Sequence, residues 1–173
     1  NNAENIFVFP NNTNIILAAE QAKSLVEGKK IHVIPTKNVP QGFSSALAFN
    51  PEATVDENLM NMLHAIDNVT TASVTYSIKT TKMDRMSLKE GDILGLDNKK
   101  ILAKGSSVPE VTKKLVSKLV NTTHSIINLY YGNGITEEEA TALADEIAEA
   151  YPDCDVQAIY GGQPIYYYII SVE

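Results

Sequence analysis

The sequence is poor in several residue types on which common kinds of function depend. One of its 173 residues is cysteine, so no internal disulfide can form, which is compatible with a reducing compartment. Arg85 is the single arginine, which excludes an arginine cluster that would hold phosphate or carboxylate groups. No apolar run approaches the roughly 18 residues of a membrane-spanning helix. We therefore expect a soluble, cytoplasmic domain.

Basic residues are also too few, and too unevenly placed, for a nucleic-acid-binding protein. The net charge is -7, whereas contacts to phosphates would require a basic face. The net charge is -3 over residues 1–78, +5 over residues 79–118 and -9 over residues 119–173. This asymmetry either steers a charged partner or reflects unevenly distributed solvated faces.

The motifs of nucleotide, metal and hydrolytic sites are absent. No Gly-x-x-x-x-Gly-Lys-Ser/Thr sequence occurs, and residues 132–134 (Gly-Asn-Gly) are too short for a dinucleotide fingerprint. The three histidines and Cys154 are far apart in sequence, so they form no zinc-binding pattern. No Gly-x-Ser-x-Gly motif accompanies a serine, histidine and aspartate set. We therefore predict no catalytic residue and no metal ligand in this chain.

The first part of the chain, residues 1–70, has the pattern of a parallel α/β lobe. An apolar strand over residues 6–9 precedes a helix over residues 13–27, and a second strand follows over residues 31–34. Strand, helix and strand over about 30 residues form a Rossmann-like βαβ unit with parallel strands. A loop over residues 35–42, a short helix through Phe43 and Phe49, and a helix capped by Thr54 and Glu57 complete the lobe. We expect Leu59, Leu63 and Ile66 to face inward from that last helix.

The second part, residues 71–173, predicts a mixed or antiparallel α+β lobe. Val74, Tyr76 and Ile78 alternate as in a half-buried strand, and residues 92–96 and 100–103 read as a hairpin with a turn at residues 97–99. The remaining predicted elements are a helix over 107–120, a strand over 125–131, a helix over 136–150, a strand over 155–160 and a strand over 165–172.

Seven of the eight tyrosines follow residue 129, and Tyr166, Tyr167 and Tyr168 are consecutive. In a strand, Tyr166, Tyr168, Ile170 and Val172 would share one face, and both faces would be apolar. The strand is then central or covered. The tyrosines are either core residues, which we favour, or part of a protein interface.

Two polar loops follow the two parallel strands of the first lobe. Ligands of open α/β sheets bind at the carboxyl ends of such strands, and a helix N-terminus favours an anion. The same residues also suit simple helix capping and a change of chain direction. The candidate ligand-binding or partner-binding residues are Asn11, Asn12, Asn14, Thr36, Lys37, Gln41 and Gly42.

Several short stretches together resemble one known family. They are residues 10–15 (Pro-Asn-Asn-Thr-Asn-Ile), 33–37 followed by 40–42 (Pro-Gln-Gly), 88–93 with Gly95, 161–164 (Gly-Gly-Gln-Pro) and 169–173. In this order they resemble the C-terminal domain of the ATP-binding component of bacterial fatty acid kinases, which is related to dihydroxyacetone kinases.

The resemblance implies a DegV-like fold for this chain and a place in a larger kinase. In that family an N-terminal domain binds ATP and magnesium, and the whole protein phosphorylates the carboxylate of a carrier-bound fatty acid. The resemblance thus implies a transferase of lipid metabolism whose nucleotide site lies outside this chain. No cofactor is expected in the chain itself.

Three hypotheses for function follow. In the first, the chain is a protein-interaction module that docks a fatty acid-binding carrier of the DegV type. In the second, it binds a small ligand, phosphate or lipid through the two polar loops. In the third, it is a structural or dimerising domain, with a homodimer as its assembly.

Overall fold

The computed structural model describes residues 3–83, 86–97 and 100–173, except for the side chain of Met83. Arg85 and the middle of the predicted turn at residues 97–99 therefore lie outside the described residues. The chain divides into two compact units, residues 1–69 (unit 1) and residues 70–173 (unit 2). Within the described residues, no helix is both long and apolar enough to cross a membrane.

Unit 1 is built on two parallel strands, as the βαβ pattern predicts. The strands pair in register from Asn5 opposite Lys30 to Val8 opposite Val33. Phe7 stacks on His32, its cross-strand partner, with ring centroids 5.2 Å apart. The elements of unit 1 are β1 (Asn5–Val8), α1 (Thr13–Lys23), β2 (Lys30–Val33), α2 (Val39–Leu47) and α3 (Val55–Asp67).

Three details of unit 1 bear on the sequence prediction. Helix α1 ends at Lys23, four residues before the predicted end at residue 27. The predicted loop over residues 35–42 is shorter, because Asn38 caps α2 and Pro40 is placed in its first turn, where a missing N–H costs nothing. In α3 the predicted capping box of Thr54 and Glu57 is confirmed.

The inward face of α3 is not the one that its leucines predict. Asn58 and Met62 are the buried residues, whereas Leu63 is exposed. Asn58 is buried because its amide group donates to the carbonyls of Asn50, Ala53 and Thr54, and its Oδ1 accepts the N–H of Asn50. A polar residue with every group satisfied can thus replace a leucine at an inward position.

Unit 2 is a six-stranded mixed sheet with its main core under two helices. The strand order is β7-β6-β3-β10-β8-β9, in which β8 and β9 are parallel and the other neighbours are antiparallel. The elements of unit 2 are β3 (Thr70–Tyr76), β4 (Thr81–Met83), β5 (Met86–Leu88), β6 (Ile93–Asp97), β7 (Lys100–Gly105), α4 (Val108–Leu119), β8 (Ile126–Tyr131), α5 (Glu137–Ala150), β9 (Asp155–Tyr160) and β10 (Tyr168–Val172).

Helices α4 and α5 pack on the sheet with the faces that the sequence predicts. Val111 and Leu115 of α4 are fully buried, and Leu119 lies at the edge of the same cluster. Thr136 and Glu139 form the predicted capping box at the start of α5. Truncation of a side chain such as Leu115 to alanine would cost about 2–5 kcal/mol, because the sheet and helix cannot close the cavity.

The strand predictions for unit 2 hold in the centre and fail at one end. Val74 is fully buried, but Tyr76 and Ile78 are exposed, since β3 ends at Tyr76. Strand β10 begins at Tyr168 and not at Ile165, so Tyr166 does not share the buried face. The short β4–β5 ribbon was not predicted. Its Leu88 packs with Leu94 and Ile101 in a second, smaller cluster.

The central position of β10 is confirmed, and Tyr168 is its most constrained residue. β10 lies between β3 and β8, and Tyr168 is only 2% exposed. Burial, with a further contribution from the negative charge of Glu139, raises the pKa of Tyr168 to about 12. The neutral phenol is therefore strongly favoured in the folded state.

Alkaline unfolding tests this assignment. The unfolded tyrosine ionises near its usual pKa of about 10, so its stabilising effect is complete below pH 10 and is lost as the pH rises toward 12. The total loss for a shift of about two units is about 3 kcal/mol. We expect the free energy of unfolding from urea titrations to fall between about pH 9.5 and pH 11.5, and to fall less in Tyr168→Phe. An equal fall in both proteins would contradict the assignment.

Candidate functional site

The two polar loops of unit 1 meet, as their positions after β1 and β2 predict. The Thr36 hydroxyl donates to Asn11 Oδ1 at 2.8 Å, and the Asn11 backbone N–H donates to Thr36 Oγ1 at 3.0 Å. Thr36 is fully buried. Asn11 has a φ of 54°, a left-handed conformation that asparagine tolerates better than most residues. This pair of hydrogen bonds joins the ends of the two strands.

Gly42 lies against the same pair of residues. A Cβ atom at this position would come within 2.0 Å of Asn11 Oδ1, so only glycine lets α2 approach the loop after β1 this closely. The start of α2 is held by Asn38, whose Oδ1 accepts the N–H of Gln41 at 3.0 Å. Gln41 Oε1 in turn accepts the N–H of Lys37 at 2.8 Å.

The remaining candidates lie at the rim of this arrangement. Asn12 is the N-cap of α1, and its Oδ1 accepts the N–H of Asn14 at 2.8 Å. The side chains of Asn14 and Lys37 are exposed. Within the described part of the chain, the Lys37 ammonium group has no ion-pair partner. It is the one positive charge among the seven candidates.

The structure thus brings the seven predicted residues into one region, with their polar atoms bonded mainly to one another. Asn11, Asn12, Thr36 and Gln41 all satisfy helix ends or loop backbone. A ligand would have to replace these bonds or bind to the outer rim beside Lys37. Ligand binding by these residues remains a prediction.

A second feature, which the sequence did not reveal as a site, lies at one end of the unit 2 sheet. Ile165 has a φ of 75° and is 56% exposed. Such a conformation is a clear outlier for a β-branched residue, because its Cβ collides with the backbone. Strain of this kind is retained where the surrounding structure imposes it, and it clusters at functional sites.

The surrounding structure imposes it through Gln163. Its Nε2 donates to the carbonyl of Tyr130 at 2.8 Å, and its own carbonyl accepts the N–H of Asn133 at 3.0 Å. A Cβ on Gly132 would come within 2.4 Å of that carbonyl, so Gly132 is required for this close approach. On the other side, the Thr75 hydroxyl donates to the carbonyl of Ile165 at 3.1 Å. The loop is therefore a fixed part of the fold.

Aromatic and aliphatic side chains surround this loop. β3, β8 and β9 end, and β10 begins, at this end of the sheet, and the ring centroids of Tyr76 and Tyr167 are 6.0 Å apart, those of Tyr131 and Tyr160 5.6 Å. Burial and the nearby charge of Glu137 raise the pKa of Tyr131. We call the exposed apolar residues at this end the tyrosine patch, namely Tyr76, Ile78, Tyr160, Ile165 and Tyr166.

The tyrosine patch combines what the sequence presented as alternatives. Tyr168 belongs to the core, whereas Tyr160 is 75% exposed and Tyr166 is also exposed. The sequence signal for the patch was the Gly-Gly-Gln-Pro turn just before an isoleucine. It could not show the positive φ of Ile165, because that conformation is imposed by contacts distant in sequence.

The described residues contain no cluster of three or more histidine, cysteine, aspartate or glutamate side chains that could hold a metal ion. Acidic residues here serve other purposes. Asp92 pairs with Lys104 at 2.7 Å, and a hydrogen bond from Lys104 is the main reason that the pKa of Asp92 is lowered. Glu57 caps a helix, which lowers its pKa.

Comparison with known proteins identifies a family and a fold. The model of the FakA-like family, which describes the C-terminal region of this type of fatty acid kinase polypeptide, matches residues 1–173. Protein YloV of Bacillus subtilis is 40% identical over 172 residues, which are 99% of this chain and 31% of YloV. A Staphylococcus epidermidis protein is 36% identical over 166 residues, or 96% of this chain and 30% of that protein. The chain spans about a third of the length of these relatives.

Solved structures with the same fold include a fatty acid-binding protein and a kinase. The Streptococcus pneumoniae fatty acid kinase B3 protein, loaded with linoleic acid, matches with a TM-score of 0.68 and 15% identity over 99% of this chain and 72% of that one. The dihydroxyacetone kinase of C. freundii matches with a TM-score of 0.59 and 14% identity over 96% of this chain and 38% of that one. The predicted DegV-like α/β fold is confirmed, and so is the predicted family.

The loop pair of unit 1 leads to a stability prediction. Thr36→Val keeps the shape of the side chain but removes both hydrogen bonds to Asn11 and leaves partly buried polar groups unpaired. We expect the free energy of unfolding of unit 1 to fall by about 1–3 kcal/mol, as measured by urea denaturation. The control is Thr122→Val, at an exposed residue, which should change little. Equal stabilities would show that the pair does not join the loops.

Proposed function

Because the chain belongs to the family of FakA-like C-terminal domains of fatty acid kinases, we propose that it docks a fatty acid-binding carrier protein of the DegV type. In this proposal the chain itself does not catalyse phosphoryl transfer. ATP and magnesium bind to another domain of the full-length kinase, which phosphorylates the carboxylate of the carrier-bound fatty acid.

The observation that carries the proposal is the strained, exposed Ile165 in the tyrosine patch. An interface gains most from large apolar and aromatic side chains that are already fixed in position, because little conformational freedom is then lost on binding. Ile165 is fixed by Gln163 and Thr75, and Tyr160 and Tyr166 flank it. Tyrosine is also enriched at protein interfaces, where its ring packs and its hydroxyl stays hydrated.

Electrostatics favour a partner with basic residues around the contact. Glu137 and Glu138 begin α5 close enough to influence the pKa of Tyr131, so negative charge borders the tyrosine patch. Residues 119–173 contain nine acidic residues and no lysine or arginine. Such a field would speed the encounter with a basic surface on the carrier and would weaken as the salt concentration rises.

The contribution of docking to the reaction would be proximity. A carboxylate bound inside a carrier meets a nucleotide on another domain rarely unless the two proteins are held together. Fixing their orientation makes the transfer effectively unimolecular, which can supply a large part of the catalytic effect.

Binding and stability should change in opposite directions in Ile165→Gly. Glycine accepts a φ of 75° without strain, so the free energy of unfolding should rise by about 1 kcal/mol. Removal of the side chain should weaken binding to the purified carrier by about tenfold or more, as measured by isothermal titration calorimetry. The control is Leu25→Ala, which removes a strongly exposed leucine from unit 1 and should bind like the wild type.

Undiminished binding by a folded Ile165→Gly protein would contradict the assignment of the tyrosine patch. Absence of any binding between the wild-type chain and the carrier would contradict docking altogether. ATP hydrolysis by the isolated chain, measured as phosphate release, would contradict the non-catalytic role.

A second candidate function is small-ligand binding by the loop pair of unit 1. It is favoured by the meeting of the two loops and by the positive charge of Lys37 at their rim. Phosphate, an acyl phosphate or a fatty acid should then raise the melting temperature, because a ligand that binds only the folded state stabilises it. Replacing Asn12 and Lys37 together by alanine should abolish the rise. A rise that survives would place the ligand elsewhere.

A further inference from the structure

Unit 1 buries far less apolar surface than unit 2. Both clusters of buried apolar residues among the described residues lie in unit 2. Of the large apolar side chains that are exposed there, ten of fifteen belong to unit 1, and α1 has no buried residue at all. An exposed apolar surface of this extent marks a region that another segment or molecule covers.

The strands of unit 1 point to the same conclusion. β1 and β2 form a sheet of two parallel strands, and no further strand adjoins either of them among the described residues. Parallel sheets are normally covered on both faces, and two strands alone are marginally stable. The outer edge of β1 therefore offers unused backbone hydrogen-bonding groups.

An apolar groove of about 330 Å³ runs beside that edge. Ile6 and Phe7 both line it, although consecutive side chains of a strand point to opposite faces, so the groove follows the edge of β1 and not one face. Ala46, Phe49 and Met62 of the α2–α3 region form its other wall. The shape fits an extended apolar segment that pairs with β1 and inserts alternate side chains toward the helices.

We infer that residues preceding Asn1 in the full-length protein occupy this groove as an additional strand beside β1. The family model describes a C-terminal region, and the chain covers only 31% of YloV, so relatives carry a long segment before it. The described chain starts at Ala3, immediately before β1, which brings the preceding segment to this edge. The B3 protein of the same fold is also longer than this chain, which covers 72% of it.

This assignment is independent of carrier docking, which uses the tyrosine patch of unit 2. It means that unit 1 completes its sheet only in the full-length kinase. The strand would also connect the preceding part of the polypeptide rigidly to unit 1.

Hydrogen–deuterium exchange, followed by mass spectrometry without any carrier present, tests the inference. Amides of residues 3–10 should exchange about tenfold or more slowly in the full-length protein than in the 173-residue chain. Amides of β10 should be protected in both and report that unit 2 is folded. Equal exchange of residues 3–10 in the two proteins would overturn the inference.

Two substitutions in the full-length protein sharpen the test. Phe49→Asp places a charge in the groove and should restore fast exchange of residues 3–10, whereas Leu17→Asp, on exposed α1, should not. Slow exchange that persists in Phe49→Asp would overturn the inference. The same holds if the 173-residue chain becomes protected at high concentration or on addition of oleate, since a second copy or a fatty acid would then be the occupant.

Discussion

The pairing of β10 with β3 on one side and β8 on the other is the constraint on which unit 2 depends. Tyr168, Ile170 and Val172 are buried between the sheet and the helices, and their neighbours in both strands are fixed by the register. Because β10 enters the middle of the sheet, the preceding loop must turn sharply at its end. The strain at Ile165 is a consequence of this turn, and the energy of the central strand sustains it.

The two units differ in how they obtain their stability. Unit 2 has a continuous core under α4 and α5, together with a second cluster beneath the β4–β5 ribbon. Unit 1 relies on polar connections instead: the Asn11–Thr36 pair, the caps at Asn12 and Asn38, and the bonds of Asn58 to four backbone groups. Such bonds define the shape of the loops but contribute less to stability than a core. A unit of this kind is suited to completion by a neighbouring segment.

Most of the fold could be predicted from local patterns. Capping residues located the starts of α3, α4 and α5, and the βαβ spacing identified the parallel strands of unit 1. The errors arose where distant residues decide the outcome. Leu63 is exposed because Asn58 and Met62 occupy the inner face of α3, and Ile165 leaves its strand because Gln163 and Thr75 hold the loop from outside.

The candidate sites show the same division. Adjacency of the loops at Asn11 and Thr36 follows from the parallel strands, so the sequence was sufficient to predict it. The tyrosine patch depends on the common end of β3, β8, β9 and β10, which only the sheet order reveals. Its sequence signal was limited to the clustering of tyrosines late in the chain.

The most direct measurement of carrier docking is hydrogen–deuterium exchange of this chain with and without the purified DegV-type carrier. The account predicts slower exchange for residues 161–167 when the carrier is present, with no change in the core strand β10. Protection that appears only in unit 1, or nowhere in the chain, would contradict the account.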